Sequence, residues 1–133
     1  MQERVKSAAT PMAHVALKAR GSKSPRPSTM NKTERKYSLH LETEKRAGRI
    51  HDYKYEAVKL RLADATFLTM DFFVMDCDGF VEFHDTKALW KSTGKPHVNE
   101  DAQIKMKVAA QHYPGFKFMI VWEEGGVWKR REY

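Results

Sequence analysis

Three side chains in the middle of the chain could act together on a phosphate: Asp71 in "TMDF", and Asp85 and Lys87 in "VEFHDTK". On a strand, residues two apart point to one face, so Asp85 and Lys87 stand side by side. Between the two stretches lies "DCDG", a turn sequence in which Gly79 suits the left-handed position closing a three-residue loop, Cys77 to Gly79. Asp76 then faces Phe80, and counting outward sets Asp71 opposite Asp85, with Cβ atoms about 5 Å apart. A two-residue loop would set His84 opposite Asp71 instead; Gly79 favours the first register. Two carboxylates that close repel each other, and burial adds to the cost. A divalent cation removes both problems, and a few hard oxygen donors with room for water suit Mg²⁺. Such an ion stabilises charge on a phosphoryl group and acidifies a bound water. Lys87 beside it could orient that water or neutralise developing charge. The face reads as a phosphodiester hydrolysis site; the structural alternative is a surface ion pair at Asp85 and Lys87, with Asp71 merely ending a hairpin.

The elements that must position these residues follow from the pattern. "NKTERKYSLHLETEKRAG" is a helix: Asn31 caps it, Glu34 three residues on completes a capping box, and Gly48 stops it. Glu34, Tyr37, Leu41 and Glu44 form one stripe. "YKYEAVKLRL" alternates with a phase slip between Ala57 and Val58, which predicts one strand with a bulge. "ATFLTMDFFVM" reads as a single apolar strand carrying Asp71, and "FVEFHDTK" as the strand that returns from the turn. "WKSTGKPHV" is a loop, and "NEDAQIKMKVAAQHY" a second helix capped by Asn99. "FKFMIVW" has the continuous apolar character of a buried strand. "EEGG" turns into a last basic strand, "VWKRREY". The predicted order is helix, three strands, helix, two strands.

The 133 residues make one domain at 31–133, preceded by a leader over 1–30 rich in Ser, Ala, Pro, Lys and Arg. That leader reads as a disordered arm or an upstream extension of the reading frame, with a DNA-tracking tail as the functional alternative. The net charge of +7 points to an acidic partner, of which nucleic acid is the commonest. It is unevenly spread: over residues 1–29, six basic side chains stand against Glu3 alone, a net of +5. One cysteine, Cys77, excludes an internal disulfide and any multi-cysteine zinc site. No apolar run is long enough to span a bilayer.

The constellation resembles the PD-(D/E)xK nuclease superfamily. Asp71 stands for the first acid, "DTK" (Asp85 to Lys87) for the triplet, and Glu34 for the acid on the preceding helix. From about Asn31 to "FKFMIVW" the chain is similar to small phage-encoded proteins of that superfamily related to Holliday-junction resolvases. The resemblance implies a restriction-endonuclease-like α/β fold, a mixed central sheet of about five strands flanked by helices. It implies Mg²⁺- or Mn²⁺-dependent hydrolysis of DNA, selective for structure rather than sequence, with Asp71, Asp85 and Glu34 as metal ligands and Lys87 positioning the water. A homodimer, and the cytoplasm of a phage-infected or prophage-carrying bacterium, follow from the same analogy. Three positions depart from the pattern: Met70 where a proline is usual, Asp85 as the shorter acid of the triplet, and Ala88 where glycine is frequent.

Candidate DNA contacts are Lys91 and Lys95 on the loop, Gln103 and Lys107 on one face of the second helix, and Lys129, Arg130 and Arg131 on the last strand. The bland readings are a solvated helix face opposite Ile104 and Val108, and a charged edge strand that blocks aggregation. Glu82 and His84 point away from the acid face, and the three tryptophans read as core or edge packing. Two other classes stay open: a non-catalytic DNA- or protein-binding module that kept a nuclease fold, and a small-molecule phosphodiesterase.

Overall fold

The alternating stretches fold into strands that divide between two sheets. A computed structural model describes residues 15–17 and 29–133. Strands β2 (Ile50–Tyr55), β3 (Val58–Ala63), β4 (Thr66–Thr69) and β5 (Phe72–Asp76) form one long ribbon, in which β3 pairs with β4 and β2 pairs with β5, both antiparallel. The ribbon creases in the middle. Glu56 takes a left-handed φ of 45°, and its N–H donates to the Asp71 carbonyl at 2.8 Å. Beyond the crease, β3 and β4 join a three-stranded sheet completed by β1 (Val15–Leu17).

This corrects two expectations. "YKYEAVKLRL" is two strands in two sheets, not one strand with a bulge, and "ATFLTMDFFVM" breaks between Thr69 and Phe72. Asp71 is therefore at the crease, not inside a strand. The leader lies outside the described residues except for β1 and residues 29–30, so the arm reading falls largely outside them as well.

The larger sheet has the order β2-β5-β6-β7-β8, with β6 at Val81–Thr86, β7 at Phe116–Glu124 and β8 at Val127–Glu132. β6 and β7 run parallel and the other neighbours antiparallel, so the architecture is α/β with a mixed five-stranded central sheet. A parallel pair needs a crossover, and helix α2 (Glu100–His112) provides it. Its cap forms as expected, with Asn99 Oδ1 accepting from the Ala102 N–H at 2.8 Å.

Helix α1 (Lys32–Arg46) covers one face of the central sheet through Tyr37 and Leu41, against Phe72, Val74, Met119 and Val121. Both halves of the capping box are present, between Asn31 and Glu34. At its other end, Gly48 at φ 78° sends its N–H to the Lys45 carbonyl while the Arg49 N–H returns to Glu44, which closes the helix. The opposite face is covered by α2 and the small sheet, with Leu60, Leu62, Met70, Met106, Tyr113, Phe118 and Ile120 at its centre. The inward face of α2 is Met106 and Ala109, with Val108 partly buried against the same core as read from the sequence, whereas Ile104 is exposed. Trp122 and Trp128 pack at the core margins as expected, whereas Trp90 is 47 % exposed on the loop after β6.

α1 is tied to the sheet by a buried polar chain. The Tyr37 hydroxyl lies 2.6 Å from His84 Nδ1, and His84 Nε2 lies 2.9 Å from Glu82 Oε1. Burial, the largest influence, pushes the His84 pKa down, and the Tyr37 phenol is pushed up by the same cause. A neutral His84 that donates from Nε2 to Glu82 and accepts from Tyr37 at Nδ1 satisfies every group. Tyr37→Phe strands that acceptor in the core and is expected to destabilise the protein by about 1–3 kcal/mol. A urea titration reads it as a lower midpoint at unchanged slope.

Candidate active site

The turn between β5 and β6 fixes the site. Gly79 adopts φ 87°, the Asp76 N–H donates to the Phe80 carbonyl at 2.9 Å, and Phe72, Phe73, Val74 and Met75 pair with His84, Phe83, Glu82 and Val81. This is the three-residue-loop register. Carried one step outward, it sets Asp71 opposite Asp85, beyond the last ladder pair.

The two acids meet there. Asp85 Oδ1 accepts from the Asp71 N–H at 3.2 Å. Asp71 Oδ2 accepts from the Thr86 N–H at 2.8 Å and from Thr86 Oγ1 at 2.9 Å. The crease makes this possible: with Asp71 outside the ladder, its N–H has no strand partner and turns to the carboxylate instead. Lys87 Nζ reaches Asp85 Oδ2 at 2.8 Å, with the two side chains only 18 % and 16 % exposed. Such an ion pair is partly shielded from solvent, unlike the exposed pairs elsewhere on the surface.

The electrostatics of the pair are lopsided. Asp71 has its pKa pushed up to about 8, first by burial and then by the charge of Asp85, with a smaller push from Glu34. The bonds from Thr86 oppose this without overcoming it. At neutral pH Asp71 therefore keeps its proton, while Lys87 lies against Asp85.

Glu34 stands apart from this pair. Its Oε2 accepts from the Asn31 N–H and from the Tyr55 hydroxyl, both at 2.9 Å, so both the capping role and a second anchor hold it. It remains close enough to raise Asp71. Among the described residues no three His, Cys, Asp or Glu side chains converge as a ready-made cation cage. The donor set present still suits a hard divalent ion. Two acidic oxygen ligands already strained by each other's charge would hold it, and water would complete a shell that Mg²⁺ keeps partly hydrated in any case.

His84 faces α1 and is fully engaged there, so it takes no part in the acid face. Lys91 and Lys95 sit on the loop that leaves Lys87, exposed on a small finger braced by a Leu89–Pro96 bridge and by the Trp90 N–H to the Lys95 carbonyl at 2.7 Å. Trp90 packs on His97 at its base, the rings tilted by 34° with 3.7 Å between centres. This order is not legible from the residues alone, because a loop with one glycine and one proline has no periodicity to read. Strand alternation puts Lys129 and Arg131 on the face of β8 that Trp122 shares, with the Arg131 guanidinium 5.7 Å from the Trp122 ring. Arg130 points to the other face, 4.0 Å from Glu82. Gln103 is half-buried and Lys107 exposed on α2. The basic residues thus do not gather into one patch.

Comparison with protein families, curated proteins and solved structures finds no match to this chain.

Proposed function

We propose that the chain is a metal-dependent endodeoxyribonuclease with a restriction-endonuclease-like fold, acting on DNA with Mg²⁺ or Mn²⁺. The observation that carries the reading is the opposed Asp71–Asp85 pair with Lys87 bonded to it, at the carboxyl end of β6 where parallel α/β sheets collect their ligands. Asp71 and Asp85 would hold the ion, with Glu34 contributing directly or through water. When bound, the ion supplies charge neutralisation at the phosphate and a more acidic water. Thr86 fixes Asp71 through two bonds, so one carboxylate is oriented before substrate arrives. Lys87 holds Asp85, and its ammonium would orient the attacking water. Lys91, Lys95, Lys129 and Arg131, with Gln103 and Lys107 further off, are available to phosphates on either side. A homodimer would bring two such sites to two strands. The resemblance to small phage proteins carries the expectation of a bacterial host; among the described residues no helix is long and apolar enough to cross a membrane.

A non-catalytic module on the same fold is the second reading, favoured by the engagement of Glu34 with Asn31 and Tyr55. Cleavage of labelled linear, single-stranded and four-way-junction DNA, with Mg²⁺, Mn²⁺ or EDTA, separates the two. The nuclease reading expects metal-dependent cutting that Lys87→Ala lowers by about 10²-fold or more. Binding without cutting, unchanged by that substitution, would leave only the module.

A further inference from the structure

A pocket of about 270 Å³ opens beside the acid pair, between the first turns of α1 and the end of the sheet. Three lysines, Lys32, Lys36 and Lys87, are in its lining. Thr33, Ala88, Leu89 and Trp128 also line it. Glu123 is the one acid in the lining, and Lys36 Nζ already neutralises it at 2.7 Å. Lys87 is likewise matched by Asp85. Among the described residues Lys32 makes no ion pair, so the pocket carries an uncompensated positive charge. The first turn of α1 is already occupied by its own capping box, so the anion partners on offer are the lysine side chains. The volume is just below the roughly 300 Å³ at which small-molecule pockets begin, too small for a duplex and right for one nucleotide unit.

We infer that this pocket seats a single phosphate-bearing nucleotide next to the scissile bond, with its phosphate on Lys32 and Lys36 and its sugar and base against Leu89 and Trp128. The inference rests on the nuclease reading for its substrate class. Lys87 belongs to both places: its Nζ is on Asp85 and the residue lines the pocket. A nucleotide held there lies one lysine side chain from the acid pair, so the pocket would set which bond is cut relative to a strand end or an unpaired nucleotide. A fully paired duplex cannot enter it, which gives selectivity for DNA structure without any contact that reads base edges.

The test measures binding, apart from cleavage, on the full chain in EDTA. Calorimetry with thymidine 5′-monophosphate, thymidine and inorganic phosphate is run on wild type, Lys32→Ala/Lys36→Ala and Asp71→Asn. Thymidine monophosphate is expected to bind more tightly than thymidine or phosphate alone, to weaken by at least about tenfold in the double lysine variant, and to persist in Asp71→Asn. Short oligonucleotides with a 5′-phosphate or a 5′-hydroxyl then identify the source. A preference for the phosphorylated end assigns the pocket to a strand terminus. Equal binding that still needs both lysines assigns it to an internal nucleotide. Monophosphate binding that is absent, or indifferent to the two lysines, overturns the inference. Lysine-dependent binding without any DNA cutting would retain the pocket while removing the nuclease reading.

Discussion

Asp71→Asn is expected to abolish the metal-dependent DNA cleavage proposed above and, in the same preparation without metal, to make the protein more stable above pH 8. The two effects have one cause. In the folded protein Asp71 keeps a proton up to about pH 8, held there by burial and by Asp85, whereas an unfolded aspartate releases it near pH 4. Between those values the folded state binds one more proton than the unfolded state. Stability therefore falls as pH rises from about 4 to about 8 and levels off above it. Asparagine copies the shape of the protonated acid, keeps an oxygen for the Thr86 bonds, and cannot ionise. The gain at pH 9 should be on the order of a few kcal/mol, and it should vanish near pH 4. Denaturant titrations of wild type and variant at several pH values check it. A variant less stable than wild type at pH 9 would show that Asp71 is an ordinary structural aspartate.

Metal affinity should climb steeply with pH. An ion that binds between Asp71 and Asp85 must displace the proton that Asp71 holds, and that proton leaves unaided only above about pH 8. Mn²⁺ binding is thus expected to tighten by about tenfold per pH unit between pH 6 and 8, and to become flat beyond. Calorimetry in two buffers of different ionisation heat would also count one proton released per ion. Affinity indifferent to pH over that range would place any bound metal somewhere other than this pair. If the protein is the nuclease proposed, cleavage at pH 6 and subsaturating metal is expected to fall about two orders of magnitude below that at pH 8.

The acid pair was legible in the sequence because a single glycine encoded it. Gly79 selects the loop length, the loop length selects the register, and the register sets Asp71 against Asp85. The helix stripe through Glu34, Tyr37 and Leu41 was equally plain, since the capping box and the glycine stop bracket it. The crease was not legible. It turns on Glu56, a residue type that rarely takes a left-handed φ, and the apolar run "ATFLTMDFF" continues through the break without a proline or glycine to mark it. Both halves of that run are apolar for different reasons: Met70 faces the core shared with the small sheet, and Phe72 faces α1. On α2 the apolar residues Ile104 and Val108 suggested an inward face; Val108 does pack against the core beside the fully buried Met106 and Ala109, but Ile104 is exposed. The pocket at the start of α1 joins residues 32–36, 87–89, 123 and 128, a long-range meeting that only the tertiary fold creates.

The creased ribbon also separates what the lineage of this chain is free to change from what it is not. The acid face depends on where the ribbon bends, between Tyr55 and Val58 on one arm and between Thr69 and Phe72 on the other. The turn from Ala63 to Thr66 lies at the far tip. Residues added or removed at that tip change the reach of the small sheet and leave Asp71 in place, so loop length there is open to drift or to grafting. One residue inserted between Tyr55 and Val58 would slide the bend along the chain and aim a different side chain at Asp85.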